Sequence, residues 1–232
     1  MRPGVAWQLR RETAPAQRLF AADPLAEPVV RRVTVRTVTG PAVVLGSAQP
    51  DAVVNADAAA AAGVRVVRRR SGGGAVWLDA DSITWLDVTI PVGDPLWDRD
   101  VGRAFWWLGE VWADVLRSLG DGDASVHQGP LLTTAWSSLV CFAGLGAGEV
   151  TLPANLLRRV AGKVVGISQR RTRAGALFQC GVLHAWDPAP LLSVLSLTDD
   201  ERARARIELA SAGGTVPRGN VVEQFLTALD RR

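Results

Sequence analysis

The chain has 232 residues, 48% of them hydrophobic and 21% charged, a composition that argues against disorder or low complexity and gives enough length for a sizeable core. Lys plus Arg outnumbers Asp plus Glu by 26 to 23, so the net charge of +3 implies only a mild attraction to acidic partners. No run approaches about 18 uninterrupted apolar residues, the stretch MRPGVAWQLRRETAPAQ lacks the apolar segment of a secretory signal, and two cysteines are too few for a disulfide framework or a zinc site. A soluble protein of the reducing cytoplasm is expected, with no metal site and no membrane contact.

In chain order, residues 1–27 read as a loop with a short helix. Val29–Val38 alternates β-branched residues and reads as a strand ended by Gly40-Pro41, followed by a short buried strand over Val43–Gly46. Asp51 caps an expected helix to Ala62 that Gly63 stops, and Val64–Arg69 is the next strand. Ala75–Asp79 and Ile83–Ile90 flank a three-residue turn and predict a hairpin. Apolar residues from Val101 to Leu119 recur every three or four positions, giving an amphipathic helix over Asp98–Leu119 whose Trp106, Trp107 and Trp112 are packing residues, closed by a turn at 120–123. Val160–Thr172 and Ala176–Leu183 predict a second hairpin. Thr198 to Glu201 is a capping box for a helix reaching Gly213-Gly214, and a last helix starts near Asn220. The expected fold is α+β in one domain, 1–232, with a mixed, largely antiparallel sheet flanked by helices.

Two segments carry chemistry. In Arg68-Arg69-Arg70-Ser71-Gly72-Gly73-Gly74-Ala75, three glycines let the backbone approach a ligand and leave amides to face an anion, while arginines supply charge for phosphate or carboxylate. The second segment, Gly162-Lys163-Val164-Val165-Gly166-Ile167-Ser168-Gln169-Arg170-Arg171, holds the only lysine against 25 arginines. A position that keeps lysine in an arginine-rich chain needs a compact ammonium, suited to charge developing on a carbonyl or phosphate. His127 and His184 have no partner at useful spacing and read as ordinary residues; Arg158-Arg159 and Arg170-Arg171 read as solvated faces or as docking points for an acidic domain.

RRRSGGGAVWLD resembles RRx(S/T)GGGxVxHD of the biotin/lipoate protein ligase superfamily, in its lipoate-protein ligase A and octanoyltransferase branch. GKVVGISQRR followed by ALFQCGVL is similar to that branch's GRKxxGxAQxR…HGxLL, and PAVVLGSAQ…NADAAAAAGVRVV to the strand and helix before the glycines. The similarity runs in order over about residues 40–185. It implies attachment of a lipoyl or octanoyl group to a carrier-domain lysine, with Lys163 at the invariant lysine that contacts the acyl carbonyl and the adenylate phosphate. Arg69, Ser71 and Gly72 to Gly74 would line the acyl and adenylate pocket, with Asp79, Gly162, Gly166 and Gln169 at further binding positions and Val76, Val165 and Ile167 along the acyl tunnel. Leu78 and Cys180 stand where the family has histidines, and Pro153–Arg159 is inserted before the lysine motif.

Two mechanisms are implied. In the ligase version, lipoic acid, ATP and Mg2+ give lipoyl-AMP, which the carrier amine attacks. No segment resembles the separate C-terminal accessory domain that assists adenylation in larger ligases, so a separate accessory subunit would supply it. In the octanoyltransferase version, Cys141, in the Cys-Phe dipeptide before the lysine motif, takes the acyl group from a thioester such as octanoyl-acyl carrier protein. The carrier would be the lipoyl domain of an acyltransferase complex or a glycine cleavage protein. Biotin is a competing substrate, and a non-catalytic ligand or nucleic-acid binder is a competing class, against which the lone Lys163 and the lack of a helix-turn-helix pattern argue.

Overall fold

The computed structural model describes residues 6–26, 28–120, 123–153 and 162–232. In chain order its elements are β1 (Gln8–Ala14), α1 (Ala16–Ala21), β2 (Arg32–Val38), β3 (Ala42–Leu45), α2 (Ala56–Ala61), β4 (Arg65–Arg68), β5 (Val76–Leu78), β6 (Ile83–Pro91), α3 (Trp106–Ser118), β7 (Ser125–Val126), β8 (Val150–Leu152), β9 (Gly162–Arg171), β10 (Gly175–Leu183), α4 (Ala189–Val194), α5 (Asp199–Glu208) and α6 (Val221–Leu229). The fold is α+β. One sheet has seven strands in the order β1-β2-β6-β10-β9-β8-β7, antiparallel except for β1 beside β2, and a second has three in the order β4-β3-β5.

The apolar face of α3 explains the main core. Leu108, Val111, Trp112, Val115 and Leu116 pack with α6 against Val88, Val164, Phe178 and Val182 of the large sheet, and Trp112 stacks on Phe225 at 4.2 Å between centroids. A second core joins the small sheet to α2, α4 and α5. A third lies between the sheets, where Val44, Val76 and Leu78 meet Ile83, Trp85 and Leu183. The seam between sheets is where the glycine segment comes to face β9.

Several expectations need correction. Ala75–Asp79 and Ile83–Ile90 do not form a hairpin: β5 pairs with β3, whereas β6 pairs with β2 and β10. Asp79 turns the chain from one sheet into the other. Its carboxylate accepts hydrogen bonds from Trp77 Nε1, the amides of Asp81 and Ser82 and the Ser82 hydroxyl, all at 2.7–2.8 Å, which hold it below the usual carboxylate pKa. The expected 51–62 helix is two pieces, a 3-10 turn at Asp51–Val53 and α2, because Val54 is extended and bridges Leu195; Asn55, not Asp51, caps α2. Gln8–Ala14 is a strand rather than loop, recruited by parallel pairing with β2. The capping box of α5 is present, but that helix stops at Glu208, short of Gly213-Gly214. The expected Asp98–Leu119 helix is shorter, with α3 starting at Trp106 behind a 3-10 turn at Arg103–Phe105. Short β7 and β8 and the six-residue α4 had no readable period. The ends of the 1–27 assignment, the middle of the 120–123 turn, the start of Val160–Thr172, most of Pro153–Arg159 and the pair Arg158-Arg159 lie outside the described residues.

Candidate active site

The glycine loop is shaped from beneath. Arg69 leaves β4 with its side chain folded into the protein, donating to the carbonyls of Val44 at 3.1 Å, Gly72 at 2.6 Å and Gly74 at 2.9 Å. Burial lowers its pKa from the usual guanidinium value. Gly74 sits so close to the chain around Cys141 that a methyl group there would come within 2.7 Å of the Cys141 amide nitrogen. Gly73 adopts φ +98°, a conformation that side chains disfavour. With the Gly72 and Gly74 carbonyls held by Arg69, the amides of Gly72, Gly73 and Gly74 donate to no group among the described residues. Such unspent amides can receive an anion.

Lys163 approaches from β9. It is 4% exposed; its ammonium donates to the Cys141 carbonyl at 2.7 Å and to Glu149 Oε2 at 2.9 Å, and lies 5.0 Å from the Phe142 ring centroid. An ammonium has three donors, and these two partners leave one among the described residues. Glu149, 5% exposed and just ahead of β8, also accepts from the amides of Gly146 at 2.6 Å and Ile167 at 3.1 Å. Both carboxylate oxygens are therefore fixed. Sequence reasoning missed Glu149, although a buried lysine demands a compensating charge, and the search for that carboxylate is the signal that would have found it.

One cavity of about 320 Å³ brings these groups together, bounded by Gly72 to Gly74, Cys141, Glu149, Lys163, Ile167, Ser168 and Gln169. Cys141 begins a short 3-10 turn and is partly exposed. Its sulfur would lie 3.6 Å from a methyl group on Gly73. Gln169 has a buried Nε2 without a partner among the described residues. Behind the cavity, the Ser71 hydroxyl bonds Ser168 Oγ and Gln179 Oε1, each at 2.7 Å, and Gln179 Nε2 reaches Asp87 Oδ1 at 3.1 Å. This chain of polar contacts fixes the glycine loop to β9, β10 and β6.

Not every expected residue meets the cavity. Val76 and Gly166 line a narrow slot behind it. Asp79 serves the turn between sheets and borders other clefts. Val165 is buried in the α3-side core. A methyl group on Gly162 would strike the Gly214 amide at 2.6 Å, so that glycine serves chain packing. Leu78 and Cys180, at the family's histidine positions, are interior residues, and burial pushes the Cys180 thiol up to about 12. His184 donates from Nδ1 to the Val216 carbonyl at 3.0 Å and takes the Thr84 hydroxyl at Nε2 at 2.8 Å; His127 bonds the Pro130 carbonyl.

Residues 21–214 match the family described as the lipoyl protein ligase A/B catalytic domain. No curated protein matches the chain. Among solved structures, the chain is similar to a bipartite lipoate protein ligase from Thermoplasma acidophilum, reported with its E2 lipoyl domain, at TM-score 0.74 and 17% identity over 98% of this chain and 83% of that one. It is similar to a lipoate-protein ligase A bound with ATP, at TM-score 0.62 and 17% identity over 99% and 95%. A T. acidophilum protein with bound lipoic acid gives TM-score 0.62 and 17% identity over 98% and 95%. At such identities these similarities establish the fold.

Proposed function

The chain belongs to the lipoyl protein ligase A/B catalytic domain family, and from that premise we propose that it attaches a lipoyl or octanoyl group to a lysine of a carrier domain through an acyl-adenylate. The observation that supports this most is the shared cavity, bordered both by Lys163, whose ammonium keeps one donor beyond its two partners, and by Gly72 to Gly74, whose amides are unspent among the described residues. Such fixed donors favour charge on an acyl carbonyl and on a phosphate together.

In this reading the lipoate carboxylate attacks the α-phosphorus of ATP and displaces pyrophosphate. The remaining Lys163 donor holds the acyl oxygen, and the carrier amine attacks the carbonyl carbon, expelling AMP with the amine proton passing to solvent. Arg69 and Ser71 hold the loop, and Ile167 and Gln169 wall the acyl group. Among the described residues no three His, Cys, Asp or Glu side chains could hold a metal ion; magnesium enters as the counterion of ATP, carried by the phosphates. The neighbour reported as bipartite and with a lipoyl domain supports a carrier partner and a separate accessory subunit.

One observation favours a second reading: Cys141 borders the same cavity as Lys163. There its thiolate would attack an octanoyl thioester and release the donor thiol, and the carrier amine would then attack the Cys141 thioester. Intact mass of an apo carrier domain separates the two. A mass gain with lipoate and Mg-ATP that survives Cys141→Ser establishes the ligase. A gain with octanoyl thioester alone, lost in Cys141→Ser, establishes the transferase, and no gain with either donor, with or without an accessory subunit, overturns both.

A further inference from the structure

On the paired strands β9 and β10, Gly166 stands opposite Gly181, so neighbouring strands lack side chains at the same level. Interior strand glycines weaken a sheet and mark places where something approaches its backbone closely. The Phe142 ring borders both: a methyl group on Gly166 would come within 3.3 Å of its Cζ, and one on Gly181 within 3.7 Å of it, beside the Ile83 side chain at 2.9 Å. The ring is buried, 5.0 Å from the Lys163 ammonium and 5.7 Å from the Trp186 ring.

Around it remains a slot of about 10 Å³, walled by Arg69, Val76, Trp85, Ile167 and Gln179. That is room for about one water molecule and for no alkyl chain. The slot shares Cys141, Ile167 and Ser168 with the reactive cavity, and Val76 and Phe142 with an apolar cavity of about 110 Å³ bounded by Trp77, Leu183, Trp186 and Leu191. It therefore sits between the two. Phe142 also borders a cavity of about 230 Å³ beside Leu209 and Ala212.

We propose that Phe142 is a specificity-determining plug: an unbranched acyl tail enters from the reactive cavity, displaces the ring from the glycine pair, and reaches a depth that the displaced ring limits. The inference rests on the acyl-transfer reading. It deepens that reading by assigning a straight medium-length alkyl tail to the slot and a stop to its far end. Because Lys163 lies over the same ring, tail entry is coupled to the ammonium that faces the carbonyl.

The test is a series of straight-chain carboxylic acids from about six to about fourteen carbons. Binding is read by quenching of tryptophan fluorescence, and transfer to apo carrier by mass. In the wild type, affinity should climb with length and level off in the medium range. In Phe142→Ala it should keep climbing, to about tenfold tighter binding at the longest chains, and Leu191→Phe in that background should remove the gain by filling the far cavity. Phe142→Leu, the milder change, should show a smaller shift in the same direction and serves if the alanine variant fails to fold. A length profile that both Phe142 variants leave unchanged overturns the proposal. A shifted binding profile without transfer by any variant supports the plug and overturns the acyl-transfer reading.

Discussion

Two buried ion pairs at opposite ends of the large sheet use the same attraction differently. Near β2, Arg31 grips Asp94 with two nearly parallel hydrogen bonds of 2.7 and 2.8 Å, and both side chains are almost fully buried. The planar fork meets both carboxylate oxygens, and neither residue borders the cavity that Lys163 lines. Between β8 and β9, Lys163 gives Glu149 a single contact of 2.9 Å and spends a second donor on a backbone carbonyl. A point-like ammonium leaves a donor over where the fork would close. The first pair is complete in itself, and the second is built with an opening toward a cavity.

The contrast is broken most sharply at Lys163. Lys163→Ala should lower transfer about a hundredfold to a thousandfold, and by leaving Glu149 buried and unpaired should destabilise the fold by about 3–5 kcal/mol. Adding Glu149→Ala should return part of the stability and none of the transfer; melting curves beside carrier mass read the two effects, and a double variant that transfers would refute the assignment. Arg31→Met should cost stability of similar size, about 3–5 kcal/mol, while the folded fraction transfers at the unaltered rate.

A smaller effect is expected at the glycine loop, which borders the same cavity as Lys163. Gly74→Ala sets a methyl group against the Cys141 backbone, and should cost about 1–3 kcal/mol of stability with a drop in transfer beyond what melting explains. The cysteines extend the contrast between closed and open sites: under native conditions iodoacetamide should add one mass increment, at partly exposed Cys141, and spare Cys180, whose thiol burial has raised to about 12. Modification of Cys180 at the same rate would contradict its placement. The mildest effect is at His184, which burial holds below the ordinary value of 6.5. Its contribution to stability is present above about 6.5 and declines as pH falls through the lowered folded value, because the unfolded chain binds the proton first. The slope of melting temperature against pH below about 6.5 should flatten in His184→Gln.

Much of the site was legible, though unevenly. Lys163 stood out through residue counts, and the glycine loop through the rarity of three consecutive glycines beside arginines. Glu149 did not, since nothing near it in sequence marks a carboxylate whose oxygens will meet Gly146, Lys163 and Ile167 across separate segments. The turn at Asp79 misled in the opposite way. A three-residue connection between two strands favours a hairpin, but the strand that β5 pairs with is β3, a partner some thirty residues earlier. Local turn chemistry was read correctly while its destination was not.

By itself, the sequence determined the periodic elements, the capping of α5, the β9–β10 hairpin and the chemical character of the two motifs, because these depend on residues within a few positions of one another. Tertiary structure alone decided that the chain divides into two sheets at Asp79, that Arg69 turns inward to set the loop carbonyls, that Cys141 and Lys163 share a cavity, and that Phe142 packs over the paired glycines Gly166 and Gly181, beside Ile83. Each depends on segments far apart in sequence being brought within hydrogen-bond or van der Waals range, and a close contact of that kind is fixed by packing of the whole rather than by any local pattern.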